Sequence, residues 1–106
     1  MDTTTGQWPL SDLFYLTVKK RAWRHLSKKV DPGRDILIFL RGQGADQSEE
    51  GWMVSVTSRT DLPEEAELHG YVGALGHYPL LVVQREHLDK LDGRTLSAKG
   101  GRLAVL

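Results

Sequence analysis

The sequence predicts an α+β fold that is built mainly from antiparallel β-sheets, with one N-terminal amphipathic helix and one short C-terminal helix. Three observations support this prediction. Apolar runs of strand length recur along the chain, one segment has helical periodicity, and helices do not alternate regularly with strands, which argues against a parallel doubly wound sheet. The 106 residues are expected to form one domain over residues 13–106, preceded by a frayed N-terminal segment, 1–12.

The first elements are a short strand and the longer helix. Residues 13–16 are predicted to form the strand, after which Thr17 is expected to cap a helix over residues 18–29. The apolar stripe of this helix repeats every four residues and is widened by Trp23. The other members of the stripe are Val18, Ala22, Leu26 and Val30. Residues 31–35, with the sequence Asp-Pro-Gly-Arg-Asp, are expected to end the helix in a turn.

The rest of the chain is predicted to be mostly strands. The predicted strands are 36–40, 52–57, 67–72, 79–83, 94–98 and 102–106. The run 36–40 is apolar throughout, which is typical of a buried central strand. The predicted short helix, 85–91, ends at Gly93 in a left-handed conformation. Gly100 is expected to lie in an ordinary loop of the terminal hairpin, and residues 42–51 and 59–65 are expected to be loops.

The expected hydrophobic core lies where the helix stripe meets the apolar strands. Its predicted members are Trp23, Leu26, Ile36, Ile38, Leu40, Val54, Leu81 and Val83.

Composition excludes several function classes. The chain has no cysteine, which excludes a disulfide scaffold, a thiolate metal site and a cysteine nucleophile. The net charge of zero provides no overall attraction to nucleic acid or membranes. No segment is long and apolar enough for a membrane span, and residues 1–8 lack the pattern of a secretion signal. A cytoplasmic location is therefore expected.

The order of elements and one C-terminal motif resemble the HesB-like family, the A-type iron–sulfur carriers. The resemblance covers residues 13–106 and is closest over 79–96. Leu16-Thr17 precedes the helix, Arg41 follows the apolar strand, and Leu91-Asp92-Gly93 follows the short helix. The last motif is the most specific of these. The resemblance implies a HesB-like β-sandwich.

The same comparison shows a departure in the cluster ligands. The family places one cysteine in the loop after the basic strand end and two near the C-terminus. Here Gln43 or Ala45 stands at the loop position, and no cysteine follows. Thiolates hold iron–sulfur clusters, so we expect a degenerate member of the family with no cofactor and no cluster carriage.

The histidines suggest a metal-binding hypothesis. His69, His77 and His87, with Glu86 nearby, are chemically suited to iron or zinc. Their spacing matches no recognised ligand pattern, so surface positions are the favoured interpretation.

Catalytic and nucleotide-binding motifs are not evident. Ser55 or Ser58 with His69 and Asp61 has the residue types of a hydrolytic triad, but no nucleophile elbow is present. Residues 42–47 lack the third glycine of the dinucleotide fingerprint and a following helix. No catalytic residue is therefore expected, and an enzyme is the less favoured interpretation.

The basic helix is the strongest functional feature. Six cations and no acid occur in residues 19–29, whereas residues 46–75 hold seven acids and one cation. One interpretation is a solvated face that pairs with this acidic middle segment. The other is a contact surface for phosphates, an acidic protein or an anionic bilayer. The candidate partner-binding residues are Lys20, Arg21, Arg24 and Lys28.

These observations lead to three functional hypotheses. The first is a non-catalytic protein-interaction domain that contacts an unknown protein partner or a second copy of itself. The second is a nucleic-acid-binding module that uses the basic helix, residues 18–30. The third is a small histidine-dependent metal-binding protein.

Overall fold

The structure, a computed structural model, describes residues 6–10, 13–41 and 51–106. The strands are β1 (Gly6–Pro9), β2 (Tyr15–Val18), β3 (Asp35–Arg41), β4 (Trp52–Ser58), β5 (Tyr71–Leu75), β6 (Tyr78–Val82), β7 (Thr95–Lys99) and β8 (Arg102–Val105). The helices are α1 (Lys20–Lys29), α2 (Glu64–His69) and α3 (Leu88–Leu91). Short 3₁₀ turns lie at Arg59–Asp61 and Arg85–His87.

The strands form two four-stranded sheets. The first sheet has the order β1-β2-β7-β8 and the second β4-β3-β6-β5. In each sheet two antiparallel pairs meet at a central parallel pair, β2 with β7 and β3 with β6. The predicted α+β class with mainly antiparallel sheets is confirmed. The sequence did not predict helix α2.

Both sheets and α1 contribute to one hydrophobic cluster. Leu16, Leu26, Phe39 and Leu80 are among its fully buried members. On β3 the side chains that join this cluster are Leu37 and Phe39.

The predicted core is therefore partly wrong. Leu26 is confirmed, and Trp23 and Val54 pack against the cluster while remaining partly buried. Ile36 and Leu81 are also confirmed as buried, but they lie on the opposite face of the second sheet. On that face Ile38 and Val83 are half-buried, and the prediction for Leu40 is wrong because its side chain is exposed. A run that is apolar at every position carries no alternation to identify the inner face, since successive strand residues point to opposite faces.

The N-terminal elements begin at different residues from those predicted. Residues 6–9, within the segment expected to be frayed, form β1 and pair with β2. Thr17 and Val18 belong to β2, because the Thr17 amide donates to the Arg94 carbonyl at 2.9 Å and the strand pairs with β7. The helix starts at Lys20 and has no side-chain cap, so the predicted role of Thr17 is wrong.

The middle of the chain also differs. The expected loop 59–65 and strand 67–72 are replaced by a 3₁₀ turn, α2 and β5. Pro63 precedes α2, and Glu64 and Glu65 occupy its first turn, where carboxylates favour the helix dipole. Residues 42–50 of the predicted loop, including Gln43 and Ala45 at the expected cysteine position, lie outside the described residues.

The C-terminal hairpin contains two glycines with left-handed backbone. Gly100 has φ 62° and Gly101 has φ 80°, between the paired residues Lys99 and Arg102. Positive φ at both turn positions is what a two-residue type I′ hairpin requires. The predicted hairpin around Gly100 and Gly101 is confirmed, but Gly100 has the left-handed backbone of a tight turn and does not lie in an ordinary loop.

The Leu91-Asp92-Gly93 motif is hydrogen-bonded to Tyr15, the first residue of β2. The Asp92 carboxylate accepts from the Tyr15 amide at 2.8 Å, and the Gly93 amide donates to the Tyr15 carbonyl at 2.8 Å. Gly93 has φ 78°, which confirms the predicted left-handed residue after the short helix.

Candidate functional site

Helix α1 separates packing residues from cations. Ala22 and Leu26 are fully buried, and the helix packs against β7. The opposite side exposes the predicted partner-binding cations, here called the basic face: Lys20, Arg21, Arg24 and Lys28. Because residues four apart lie above one another on a helix, three of these cations form a single row.

The basic face has no intramolecular carboxylate partner in the described part of the chain. Within residues 6–10, 13–41 and 51–106, the ion pair present joins Arg34 to Asp35. The exposed acids Asp61, Glu64 and Glu65 form no ion pair with α1 there. The pairing with the acidic middle segment, which was one interpretation of the sequence, is thus not seen among these residues.

An apolar groove borders the basic face. It encloses about 350 Å³ between α1, β1 and the β5–β6 turn. We call it the aromatic groove, and its lining residues are Trp8, Trp23, Arg24, Ser27, Gly76, His77 and Tyr78. Arg24 therefore belongs both to the basic face and to the groove.

Three aromatic rings build the groove. Trp8 packs edge-to-face on Trp23, with ring centroids 5.0 Å apart, and the Tyr78 ring centroid lies 6.3 Å from that of Trp23. Trp8 is opposite Leu16 in the β1–β2 pair, so it lies on the core side of the sheet edge, where it meets α1. Sequence reasoning missed Trp8 because it falls in a segment that was expected to be frayed.

The β5–β6 turn lies close to the groove. Gly76 has φ 63°, and a Cβ at this position would lie 3.5 Å from the Trp23 ring. Positive φ at the first position of a two-residue hairpin turn favours glycine. The turn thus brings Gly76 and Tyr78 beside the Trp23 indole, and His77 lines the same groove.

Trp23 lies at the boundary between core and groove. Its ring is half-buried and packs against the hydrophobic cluster. The Nε1 atom is buried and makes no hydrogen bond to any residue that the structure describes. Packing against its neighbours, rather than hydrogen bonding, fixes the position of the ring.

The structure does not bring the three candidate histidines together as a metal site. His69 ends α2, His77 lies in the β5–β6 turn, and His87 lies in the second 3₁₀ turn. Across the described ranges, no group of three or more histidine or carboxylate side chains is placed to hold a metal ion. Of the three, His77 borders the aromatic groove.

Of the residues weighed as a hydrolytic triad, Ser58 contributes to a local turn. The Ser58 hydroxyl accepts from the Thr60 amide at 3.4 Å and lies 2.9 Å from the Thr60 hydroxyl. It thereby caps the first 3₁₀ turn, which contains Asp61. Ser55 is exposed on β4.

Asp35 is a buried carboxylate that stabilises the turn after α1. Its oxygens accept from the Arg34 guanidinium at 3.1 Å and from the Asp31 amide at 3.0 Å. The hydrogen bond from Arg34 is the main cause that lowers the pKa of Asp35, and the Asp31 amide adds to it. These contacts join neighbours in sequence, so the perturbed carboxyl is a turn-forming group.

None of the helices in the described ranges combines the length and hydropathy needed to cross a bilayer. Comparisons of the chain with protein-family models, with curated proteins and with solved structures gave no match.

Proposed function

We propose that the protein is a non-catalytic interaction domain whose basic face binds an acidic segment of a protein partner. One observation carries the proposal: four cations share one exposed helix side and have no carboxylate within 4.0 Å in the described ranges. Since Ala22 and Leu26 on the opposite side provide the packing, the cations are not required for folding.

Electrostatics alone gives such a surface modest affinity. An exposed ion pair contributes about 0–1 kcal/mol and is screened by salt. Complementary charges mainly increase the association rate and reject partners of the wrong charge. The aromatic groove beside Arg24 adds apolar area that can be buried on binding.

A second copy of the chain is one partner of this chemistry. Asp61, Glu64 and Glu65 are exposed on the segment that precedes and begins α2. Light scattering of the purified protein at increasing concentration distinguishes this homodimer from a different protein partner.

We also propose that the domain is a HesB-like member that has lost cluster carriage. The two four-stranded sheets, the early amphipathic helix and the Leu91-Asp92-Gly93 motif support this relationship. The absence of cysteine from the whole sequence removes the thiolates that cluster carriage uses.

Nucleic-acid binding is the second candidate, and one observation favours it. Aromatic rings beside a row of cations are typical of surfaces that bind single strands, where bases stack and phosphates meet lysine or arginine. The net charge of zero and the exposed acids of α2 count against it.

Capture from a native lysate tests the proposal. The basic-face variant carries Lys20→Glu, Arg24→Glu and Lys28→Glu. We expect it to lose the proteins that the wild type captures, while circular dichroism shows the same helix content. The captured proteins should also dissociate as salt rises.

A control variant with the same total charge change carries Arg59→Glu, Lys90→Glu and Lys99→Glu, all of them exposed and on elements other than α1. It should capture the same proteins as the wild type. Identical capture by all three proteins would contradict the proposal. Captured nucleic acid that disappears after nuclease treatment would support the second candidate instead.

A further inference from the structure

We propose that the aromatic groove is the binding site for a proline ring of an acidic, extended partner segment. This inference rests on the proposed function, because the basic face would supply the contacts to the acidic residues of the same segment. It adds a second element of recognition, an apolar ring, that charge alone does not provide.

The shape and chemistry of the groove match a ring. Its walls are the rings of Trp8, Trp23 and Tyr78, and its boundary includes the backbone of Gly76. Trp8 retains 39% of its surface exposed, so this wall of the groove is open to a ligand. Aromatic-lined grooves bind proline-rich segments because the polyproline II helix is preformed and loses little conformational entropy on binding.

The dimensions agree with a short extended segment. Lys20 and Lys28 are eight residues apart on α1, which corresponds to about 12 Å along the helix axis. At about 3.1 Å per residue, four residues of polyproline II span that distance. A proline above Trp8 and Trp23 would therefore have acidic neighbours within reach of the cation row.

The position of Arg24 joins the two recognition elements. Arg24 lines the groove together with Ser27. It lies about one helical turn after Lys20 and about one helical turn before Lys28. A carboxylate next to the bound proline would meet the Arg24 guanidinium, which can bind both of its oxygens. Charge complementarity thus selects an acidic segment, and the groove selects the proline within it.

Three synthetic heptapeptides test the inference. The first is Glu-Pro-Pro-Glu-Pro-Pro-Glu, the second replaces its prolines by alanine, and the third replaces its glutamates by glutamine. Tryptophan fluorescence reports binding, since two of the groove walls are indoles. We expect the acidic proline peptide to bind at least tenfold more tightly than the alanine peptide. The difference in affinity between the acidic proline peptide and the glutamine peptide should decrease as the salt concentration rises.

Variants of Trp8 locate the ring site. Trp8→Ala should remove the difference between the acidic proline and alanine peptides, and Trp8→Phe should keep it, because a ring remains. The comparison of the peptides on the wild type does not depend on how either variant folds.

The outcomes separate this inference from the proposed function. Equal wild-type affinity for the two acidic peptides overturns the proline site and leaves the basic face in place. Absence of binding to any proline peptide also overturns it. Tighter binding of an oligothymidylate, with fluorescence quenching lost in Trp8→Ala, overturns it in favour of a single-strand nucleic-acid site.

Discussion

Trp8 of β1 packs edge-to-face against Trp23 of α1, with ring centroids 5.0 Å apart and ring planes inclined by 70°. This contact joins the first strand to the helix that carries the basic face. It also forms one wall of the aromatic groove, so the same pair serves stability and the proposed recognition.

Removing the Trp8 ring should destabilise the fold modestly. Trp8→Ala loses the edge-to-face contact and part of the buried indole surface, which together amount to about 1–2 kcal/mol. Chemical denaturation measures this change. Leu68→Ala, at a side chain that is 73% exposed, is the control and should leave the midpoint unchanged. Equal midpoints for both variants would show that the Trp8 contact contributes nothing.

Leu81 and Leu40 should differ sharply in their sensitivity to truncation. Leu81 is 1% exposed, and Leu40 is 40% exposed. Leu81→Ala should reduce the free energy of unfolding by about 2–5 kcal/mol, whereas Leu40→Ala should cost less than about 1 kcal/mol. Urea unfolding of the two variants gives the comparison. A larger loss for Leu40→Ala would mean that the burial of these two side chains is assigned incorrectly.

Substitutions of Gly100, in the hairpin between β7 and β8, should differ in how much they destabilise the fold. This residue has φ 62° and no atom within 4 Å of an added Cβ, so backbone strain is the expected cost. Gly100→Val should destabilise by about 1–2 kcal/mol, because β-branched residues disfavour left-handed backbone. Gly100→Asn should be better tolerated. Thermal unfolding that ranks the two variants equally would be inconsistent with this turn.

Asp35 should make stability depend on pH in the acid range. Its pKa is lower in the folded protein than its ordinary value of 3.8, because the carboxylate accepts hydrogen bonds from Arg34 and the Asp31 amide. The stabilisation is therefore complete above the unfolded pKa and is lost as the pH falls through the folded pKa.

Urea unfolding of the wild type and Asp35→Asn between about pH 3 and pH 7 tests this dependence. The wild type should be more stable at neutral pH, and the difference should narrow toward the acid end. A difference that stays constant over the whole range would exclude the carboxylate as its source.

The sequence predicted elements best where pattern and backbone chemistry agree. The strand 52–57, the turn after α1, Gly93 and the C-terminal hairpin are present close to their predicted positions. Each has a local cause: alternation of apolar residues, or a glycine or proline at a turn.

The predictions that were wrong concern features that depend on pairing between distant parts of the chain. Thr17 has the chemistry of a helix cap, but its amide pairs with Arg94, far along the chain. The face of β3 could not be assigned from a run without alternation, so Leu40 was expected in the core in place of Phe39. These choices depend on which strand lies alongside, and a local pattern does not contain that information.

The candidate site was predictable only in part. The spacing of Lys20, Arg24 and Lys28 predicted a cationic helix side, and the structure exposes these residues. The groove required Trp8 and Tyr78 to meet Trp23, and those contacts connect three distant segments. No local signal marks such a convergence.

The most direct test is the dissociation constant of one captured partner, measured for the wild type, the basic-face variant and the control variant at low and high salt. We expect about tenfold to a hundredfold weaker binding by the basic-face variant, because it loses three exposed pairs at about 0–1 kcal/mol each. The control variant should bind like the wild type, and high salt should reduce the difference. Equal dissociation constants for all three proteins would contradict the basic face as the binding surface.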